Sequence, residues 1–210
     1  MNLKKVENFI SPQEAETIIA FSSFNPVYTI ENEHIKSVND ETAGWSIMCD
    51  LTKSNLSKAI SKFQGDGTLI ESVPSIFHDL SHRIANVLAI NQDHVFFQYI
   101  VLGINGMVRK HYDAGVPGFI TYKCNICVDG PDKDSIYIDD SVINLTKFDL
   151  YAFEANLYKH WMDRSDVRRI HLSYGFMLPY DELGWNQDNP RVRLSNKLYD
   201  RYMKKNIALT

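Results

Sequence analysis

The chain has 210 residues, of which 44% are hydrophobic and 12% aromatic, and its net charge is −4. These values are typical of one globular domain. No apolar run reaches the ~20 residues that a transmembrane helix needs, which argues against a helical membrane protein. The sequence also has no stripe of Lys and Arg, so polymeric nucleic acid is disfavoured as a partner.

The N-terminus and the cysteines indicate where the protein works. The opening MNLKKVENFI lacks the apolar core of a secretory signal. The chain has three cysteines, and an odd number argues against a disulfide framework and for a reducing compartment. We therefore expect a cytoplasmic protein, whose oligomeric state the sequence leaves open.

Two helices are predicted in the first half of the chain. The first opens with SPQEAETII, where Ser11 suits the N-cap, Pro12 the first helical position and Glu14 the far end of a capping box. The second begins at Pro74 and continues to about Leu88, because apolar residues there recur at helical spacing. Those residues are Ile76, Leu80, Ile84 and Val87.

Short runs rich in Val, Ile, Tyr and Phe follow the second helix, separated by Gly, Pro, Asn and Asp. This pattern is typical of antiparallel strands in a sandwich or barrel rather than of a βαβ alternation. The runs are HVFFQYIVLGI, GFITYKCNICV, SIYIDDSVINL, FDLYAFEA and RRIHLSYGFML. The earlier stretch AGWSIMCDLT is a further candidate strand.

The predicted fold class is α+β, mainly β: a double-stranded β-helix (jelly-roll) core with N-terminal helices and a C-terminal helix. We expect a single domain over residues 1–210. Its helical support would span roughly 10–90, the jelly-roll core roughly 94–180 and the C-terminal helix roughly 192–206.

The stretch RKHYDAG sets His111 and Asp113 two residues apart. That spacing is common by chance, and two structural polar residues are the alternative reading. Residues two apart on a strand point to the same side, here the barrel interior. His160, in LYKHWM, comes directly after a distant predicted strand. Two imidazoles and one carboxylate form a facial ligand set that suits Fe(II) and leaves positions open.

Arg169 is a candidate for binding an anion. It follows His160 by nine residues, and strand alternation places Arg169, His171 and Ser173 on one face. A buried Arg is costly without an anion. A dicarboxylate co-substrate would supply one through paired charge-assisted hydrogen bonds. The same alternation places the neighbouring Arg168 on the opposite face of the strand, toward solvent.

The motif HYD at 111–113, His160 and the Arg169-x-x-Leu-Ser run resemble the signature of Fe(II)/2-oxoglutarate-dependent oxygenases. The opening VENFISPQEAETII is similar to the N-terminal helix of the prolyl-hydroxylase-like branch, so the resemblance covers most of residues 6–178. It implies that His111, Asp113 and His160 bind Fe(II), that 2-oxoglutarate chelates the iron with its far carboxylate on Arg169, and that O2 takes the last position. It also implies decarboxylation to succinate coupled to hydroxylation of an unactivated C–H bond. The chain departs from the pattern at Phe148, where many relatives have Gly.

Further co-substrate contacts stay open at this point. The register of the strand before the metal motif is undetermined, so either Gln98 or Tyr99 would reach the co-substrate. Lys123 and Asn125 share one face of their strand and would contact it if that face is the interior. His171 stands where some relatives have Ser, and is either a co-substrate or substrate contact or a buried structural histidine.

We therefore expect an Fe(II)/2-oxoglutarate-dependent dioxygenase, a hydroxylase acting on a small molecule, an amino-acid derivative or a peptide, with no membrane partner. An alternative is a jelly-roll module that binds a metal or senses without catalysis, which would not need a buried Arg169. A thiol redox protein using Cys124 and Cys127 is disfavoured, because residues three apart on a strand point to opposite faces.

Overall fold

The structure is a computed structural model that describes residues 1–23, 35–36, 44–54, 68–69, 72–113 and 115–207. The described helices are α1 (Pro12–Ser23), α2 (Ser75–Leu88), a short 3-10 helix (Tyr180–Leu183) and α3 (Pro190–Ile207). The described strands are β1 (Lys4–Val6), β2 (Ile35–Lys36), β3 (Gly44–Asp50), β4 (Thr68–Leu69), β5 (Val95–Leu102), β6 (Met107–His111), β7 (Phe119–Asp129), β8 (Asp134–Ile138), β9 (Ser141–Leu145), β10 (Leu150–Glu154), β11 (His160–Met162) and β12 (Arg169–Pro179). None of the helices in these ranges is both long and apolar enough to cross a bilayer.

The strands form two sheets. The large sheet has the order β1-β10-β7-β12-β5-β3-β4 and the small sheet the order β2-β6-β11-β8-β9. All pairings are antiparallel except that of β3 with β4. Strands β5 to β12 divide equally between the two sheets, which is the double-stranded β-helix predicted from the sequence. The jelly-roll prediction is confirmed.

Alternation along β12 divides the large sheet into two faces. Ile170, Leu172 and Tyr174 belong to the core on the helix side of the sheet, together with residues of α1 and α2. The residues between them point instead toward the small sheet. The space between the sheets is therefore lined by polar residues of β12, namely Arg169, His171 and Ser173, which are all buried.

The first helix begins as predicted. The Ser11 backbone N–H donates to Glu14 Oε2 at 2.8 Å, and the Glu14 N–H donates to Ser11 Oγ at 3.2 Å. This reciprocal pair satisfies two of the donors that a helix start leaves open. The capping box thus fixes where α1 starts, and Ile18 on its inner side is fully buried.

The second predicted helix is confirmed as α2. Of the apolar residues whose spacing predicted it, Leu80 and Ile84 are buried, whereas Val87 is 51% exposed. Phe77, which that spacing argument did not include, is fully buried. Its ring lies 4.7 Å from the ring of Phe97 and 6.2 Å from that of Tyr99.

Two local features refine the predicted strands. The run SIYIDDSVINL is two strands, β8 and β9, joined at Asp139, whose φ is 49°. The departure noted at Phe148 also has a physical meaning, since the φ of Phe148 is 73°. That is the left-handed region that favours glycine. Hydrogen bonds from Phe148 N–H to the Cys127 carbonyl, and from Ile10 N–H to the Phe148 carbonyl, hold this turn.

Candidate metal centre

His111 and His160 stand opposite each other on neighbouring strands. They are direct partners in the pairing of β6 with β11, and their ring centroids are 4.3 Å apart. Asp113 follows β6, and its backbone N–H donates to the carbonyl of Ala155 at 3.1 Å. The ligand atoms of the two histidines and Asp113 all lie within 4.8 Å of one another. The fold thus brings together the three side chains predicted to hold the metal.

Each of the two imidazoles is oriented by a backbone carbonyl. Nδ1 of His111 lies 2.6 Å from the Arg109 oxygen, and Nδ1 of His160 lies 3.1 Å from the Tyr158 oxygen. Because a carbonyl only accepts, Nδ1 carries the proton and Nε2 presents a lone pair. Both Nε2 atoms face one carboxylate oxygen, Asp113 Oδ1, at 3.2 and 3.3 Å. Lone pairs turned toward an anionic oxygen repel unless a cation lies between them, so this donor set fits a metal ion.

The protonation states also suit a metal. Burial, followed by the neighbouring His111, lowers the pKa of His160 to about 4. Burial by itself would raise the pKa of Asp113, but Lys123 and His160 outweigh it and hold that pKa well below its usual range. At neutral pH the cluster therefore contains a carboxylate and a neutral His160. Imidazole and carboxylate ligands with open positions are characteristic of non-haem Fe(II) sites.

Lys123 adds a positive charge beside this cluster. Its Nζ lies 2.9 Å from Asp113 Oδ2, and the two side chains are 12% and 4% exposed. On β7, Lys123 pairs with Phe153 of β10 and Gly175 of β12. The ring of Phe153 in turn packs edge-on against His160, with centroids 5.1 Å apart. Of the two orientations left open for Lys123, the structure has the interior one.

A row of polar side chains continues inward, two residues along β7 from Lys123. Ser173 pairs with Gln98 on β5 and with Asn125 on β7, and all three are buried. Tyr99 points to the other face of the sheet, where its hydroxyl donates to the Ile18 carbonyl at 3.1 Å in the helix-side core. The structure thus brings Gln98 and Asn125 to the interior and does not bring Tyr99 there, because strand alternation separates Tyr99 from Gln98.

Arg169 lies deeper in the same interior and is fully buried, whereas Arg168 is exposed. Its guanidinium already has protein partners. Nη1 is 3.2 Å from Oδ1 and 3.4 Å from Oδ2 of Asp134, and Nη2 donates to the carbonyls of Gly106 at 2.6 Å and Asp163 at 2.9 Å. The parity that favoured Arg169 over Arg168 is right. Binding of a co-substrate carboxylate by Arg169 stays a prediction. In this structure the carboxylate of Asp134 contacts the guanidinium instead.

Sequence reasoning missed Asp134. The signal was present, since Asp134 alternates with Ile136 and Ile138 on β8, and both isoleucines are buried. Alternation alone therefore placed this carboxylate in the interior. Its pairing with Arg169 joins two sheets and two distant segments, so no local pattern reveals it.

Two more interior groups have no hydrogen-bond partner among the described residues. Both ring nitrogens of His171 and the Oγ of Ser173 are buried without a hydrogen bond. Burial and the charge of Arg169 lower the pKa of His171 to about 4, so this ring is neutral at neutral pH. Because buried polar atoms are normally satisfied, these groups indicate a polar ligand or ordered water in the space between the sheets.

The two cysteines of CNIC are free and buried, as is Cys49. Cys124 belongs to the helix-side core, whereas Cys127 pairs with His171 on the interior side of the sheet. Burial raises the pKa of Cys127 to about 12 and that of Cys124 well above its usual value. The two thiols face opposite ways, as predicted, and neither has the low pKa of a redox-active thiol.

The outer side of the small sheet carries an aromatic stack. Trp161, the residue after His160, lies on Tyr137 with centroids 5.0 Å apart and planes 7° from parallel. Nζ of Lys110 lies 4.1 Å from the Trp161 ring centroid. Alternation turns Trp161 away from the cluster of His111, Asp113 and His160, although its neighbour His160 belongs to that cluster.

No family model matches the sequence, and no curated protein matches it. Solved structures do match. A prolyl-4-hydroxylase of Pseudomonas putida is 10% identical with a TM-score of 0.53, and the match covers 84% of this chain and 92% of that one. The viral collagen prolyl hydroxylase from Paramecium Bursaria Chlorella virus-1, in its 2OG complex, is 10% identical with a TM-score of 0.53, over 85% and 97% of the chains.

A third match is a prolyl hydroxylase from Trichoplax adhaerens in complex with a peptide fragment of the hypoxia inducible factor oxygen degradation domain. It is 10% identical with a TM-score of 0.52, over 88% of this chain and 87% of that one. The chain therefore has the fold of prolyl hydroxylases, which are Fe(II)/2-oxoglutarate oxygenases. The resemblance drawn from the sequence is confirmed for the fold. A site is what carries an activity, since one fold hosts many.

Proposed function

We propose that this protein is an Fe(II)/2-oxoglutarate-dependent oxygenase that hydroxylates an unactivated C–H bond. One oxygen atom of O2 would enter the product and the other would enter succinate as 2-oxoglutarate loses CO2. The observation that carries the proposal is the convergence of His111, Asp113 and His160 in the interior of this fold, with ligand atoms within 4.8 Å.

The same residues have defined roles in the proposal. His111 and His160 present Nε2 to Fe(II) while the carbonyls of Arg109 and Tyr158 hold their rings. Asp113 supplies the anionic ligand, and a bound metal takes the place of Lys123 as its main counter-charge. The metal supplies the site for O2 and for the 2-oxo acid. Among the described residues no fourth His, Cys, Asp or Glu joins this cluster, so the remaining positions would be left to these two molecules.

The polar interior beyond the metal would hold the co-substrate. Lys123, Asn125 and Gln98 line it near the cluster, and His171 and Arg169 lie deeper. The unpartnered atoms of His171 and Ser173 support this assignment, because they would gain hydrogen bonds from a carboxylate or from water around it.

The substrate is proposed more broadly, as a small molecule, an amino-acid derivative or a peptide. The peptide complex of the Trichoplax enzyme supports the last of these by analogy alone. We also propose one oxygenase domain over residues 1–210 and a cytoplasmic location. The three free, buried thiols support the location, since disulfides are rare in reducing compartments.

A second candidate function is a metal-binding or sensing module without catalysis. One observation favours it: Asp134 already neutralises Arg169, so a buried cation is present without any co-substrate. The two functions differ in whether metal binding is followed by turnover.

The test has a binding step and a turnover step. Metal-free protein is loaded anaerobically with Fe(II), 2-oxoglutarate is added, and the metal-to-ligand charge-transfer band is followed; O2 is then admitted and succinate is measured. The oxygenase proposal expects the band and succinate, and expects both to vanish in His160→Ala but not in His82→Ala, an exposed control. Metal binding without the band and without succinate would support the non-catalytic module instead.

A further inference from the structure

We propose that Asp134 determines how this protein selects its co-substrate: it is an internal carboxylate that occupies Arg169, so a 2-oxo diacid must displace it to bind. This inference rests on the proposed function and adds to it the residue that controls affinity for the far carboxylate. The inference concerns the side chains of Asp134 and Arg169, and its test measures binding of 2-oxo acids rather than turnover.

The ion pair is deep and specific. The side chains of Arg169 and Asp134 are 1% and 10% exposed, and both Asp134 oxygens lie within 3.4 Å of Nη1. Asp134 comes from β8 of the small sheet and Arg169 from β12 of the large sheet, so the pair spans the space between the sheets. This is the space into which the far carboxylate of a metal-bound 2-oxo diacid would extend.

The donors of Arg169 are nearly all used. Nη1 serves Asp134, while Nη2 serves the carbonyls of Gly106 and Asp163, which leaves only Nε without a partner among the described residues. A carboxylate that binds a guanidinium in fork geometry takes two nitrogens. An incoming carboxylate can therefore gain an Nη donor only where an existing partner leaves, and the partner on a rotatable side chain rather than on backbone is Asp134, at Nη1.

Charge balance leads to the same conclusion. Arg169 and Asp134 together are neutral, and a second carboxylate would leave one cation between two anions in a buried site, where like charges are costly. His171 adds no positive charge beside the pair at neutral pH, because burial and Arg169 lower its pKa to about 4. Lys123 is paired with Asp113 at the candidate metal centre. Rotation of the Asp134 side chain away from Arg169 would let the incoming carboxylate replace it as the counter-charge of the guanidinium.

The test compares two 2-oxo acids in one protein. Anaerobic, Fe(II)-loaded protein is titrated with 2-oxoglutarate and with 2-oxobutyrate, which lacks the far carboxylate, and the charge-transfer band gives each dissociation constant. In Asp134→Asn, we expect 2-oxoglutarate to bind about tenfold more tightly than in the unchanged protein. Binding of 2-oxobutyrate should change little. Asp139→Asn is the matched control, because Asp139 also pairs with an arginine, Arg191, but at the surface.

Stability provides a second readout. Asp134→Asn leaves Arg169 buried without a counter-charge, so its melting temperature should fall, and 2-oxoglutarate should raise it more than it raises that of the unchanged protein. If Asp134→Asn does not fold, Asp134→Ser is used in its place. Addition of 2-oxoglutarate during expression should restore folding of either variant. Unchanged or weaker binding of 2-oxoglutarate in a folded variant, or failure of rescue, overturns the inference.

Failure of the proposed function looks different. In that case the unchanged protein and the variants bind the metal but give no charge-transfer band with either 2-oxo acid. That result removes the co-substrate and this inference with it, whereas a band with both acids and no gain in Asp134→Asn removes only the role of Asp134.

Discussion

Nε2 of His111 and Oδ1 of Asp113, two residues apart in the chain, face each other at 3.2 Å, while the Arg109 carbonyl 2.6 Å from Nδ1 favours the tautomer with the proton on Nδ1. The chain therefore presents two acceptors to one point in space. A third acceptor, His160 Nε2, arrives from β11 at 3.3 Å from the same oxygen. Three acceptors that converge on one point favour a cation there.

Replacing any one of the three ligands should remove Fe(II) binding. We expect His111→Ala, Asp113→Ala and His160→Ala each to weaken Fe(II) binding by at least about a hundredfold and to abolish turnover, since the cluster has no spare ligand among the described residues. Isothermal titration with Fe(II) under anaerobic conditions measures this. If His160→Ala retains full affinity for Fe(II), His160 is not a metal ligand.

Removing the charge of Lys123 should strengthen metal binding. The ammonium competes with the metal for Asp113, because it lies 2.9 Å from Oδ2. We expect Lys123→Met to bind Fe(II) about tenfold more tightly, a change of about 1.4 kcal/mol. Lys147→Met is the control, since Lys147 pairs with Asp129 at 3.6 Å on a more exposed part of the sheet. Weaker metal binding in Lys123→Met would mean that Lys123 instead holds Asp113 in position.

The buried histidine of β12 should make stability depend on pH. The pKa of His171 is about 4 in the folded protein and 6.5 in the unfolded chain, so the unfolded chain binds more protons between these values. The free energy of unfolding should therefore rise with pH across this window, and this one group contributes about 3 kcal/mol, lost as the pH falls toward 4. Urea unfolding of metal-free protein at several pH values tests it. His171→Asn should flatten the slope and His82→Asn should not.

Substitutions at the neighbouring residues Arg168 and Arg169 should have very different effects on the free energy of unfolding. Arg169→Gln leaves Asp134 buried without its partner, which should cost about 3–5 kcal/mol, whereas Arg168→Gln at an exposed position should cost less than about 0.5 kcal/mol. Chemical denaturation measures both. The double variant Arg169→Gln with Asp134→Asn should recover part of the loss, because it removes both charges. A large effect of Arg168→Gln would mean that the register of β12 is shifted by one residue.

The thiols of CNIC should be free and slow to react. Burial holds the pKa of both thiols above their usual value, so little thiolate is present for alkylation. Mass spectrometry should find no Cys124–Cys127 disulfide in fresh protein. Alkylation should be slow in the native state and fast in urea. A disulfide whose reduction changes activity would contradict this prediction.

Much of the site could be predicted because β-strands have a strict period of two. That period put His171 and Ser173 beside Arg169 and separated Cys124 from Cys127. It could not choose between Gln98 and Tyr99, since the absolute register depends on which face the helices cover. It also could not reveal that Asp134 meets Arg169, because that contact joins β8 and β12 through tertiary packing.

Trp161, which stacks on Tyr137, provides an intrinsic fluorescence signal close to the candidate metal centre. Indole emission responds to a nearby paramagnetic ion, and Trp161 directly follows His160, a proposed metal ligand. The chain has three tryptophans, so the difference between the spectra of the unchanged protein and Trp161→Phe isolates the signal. Quenching of that difference on adding Fe(II), but not Zn(II), would allow occupancy of the centre to be followed in real time without any substrate.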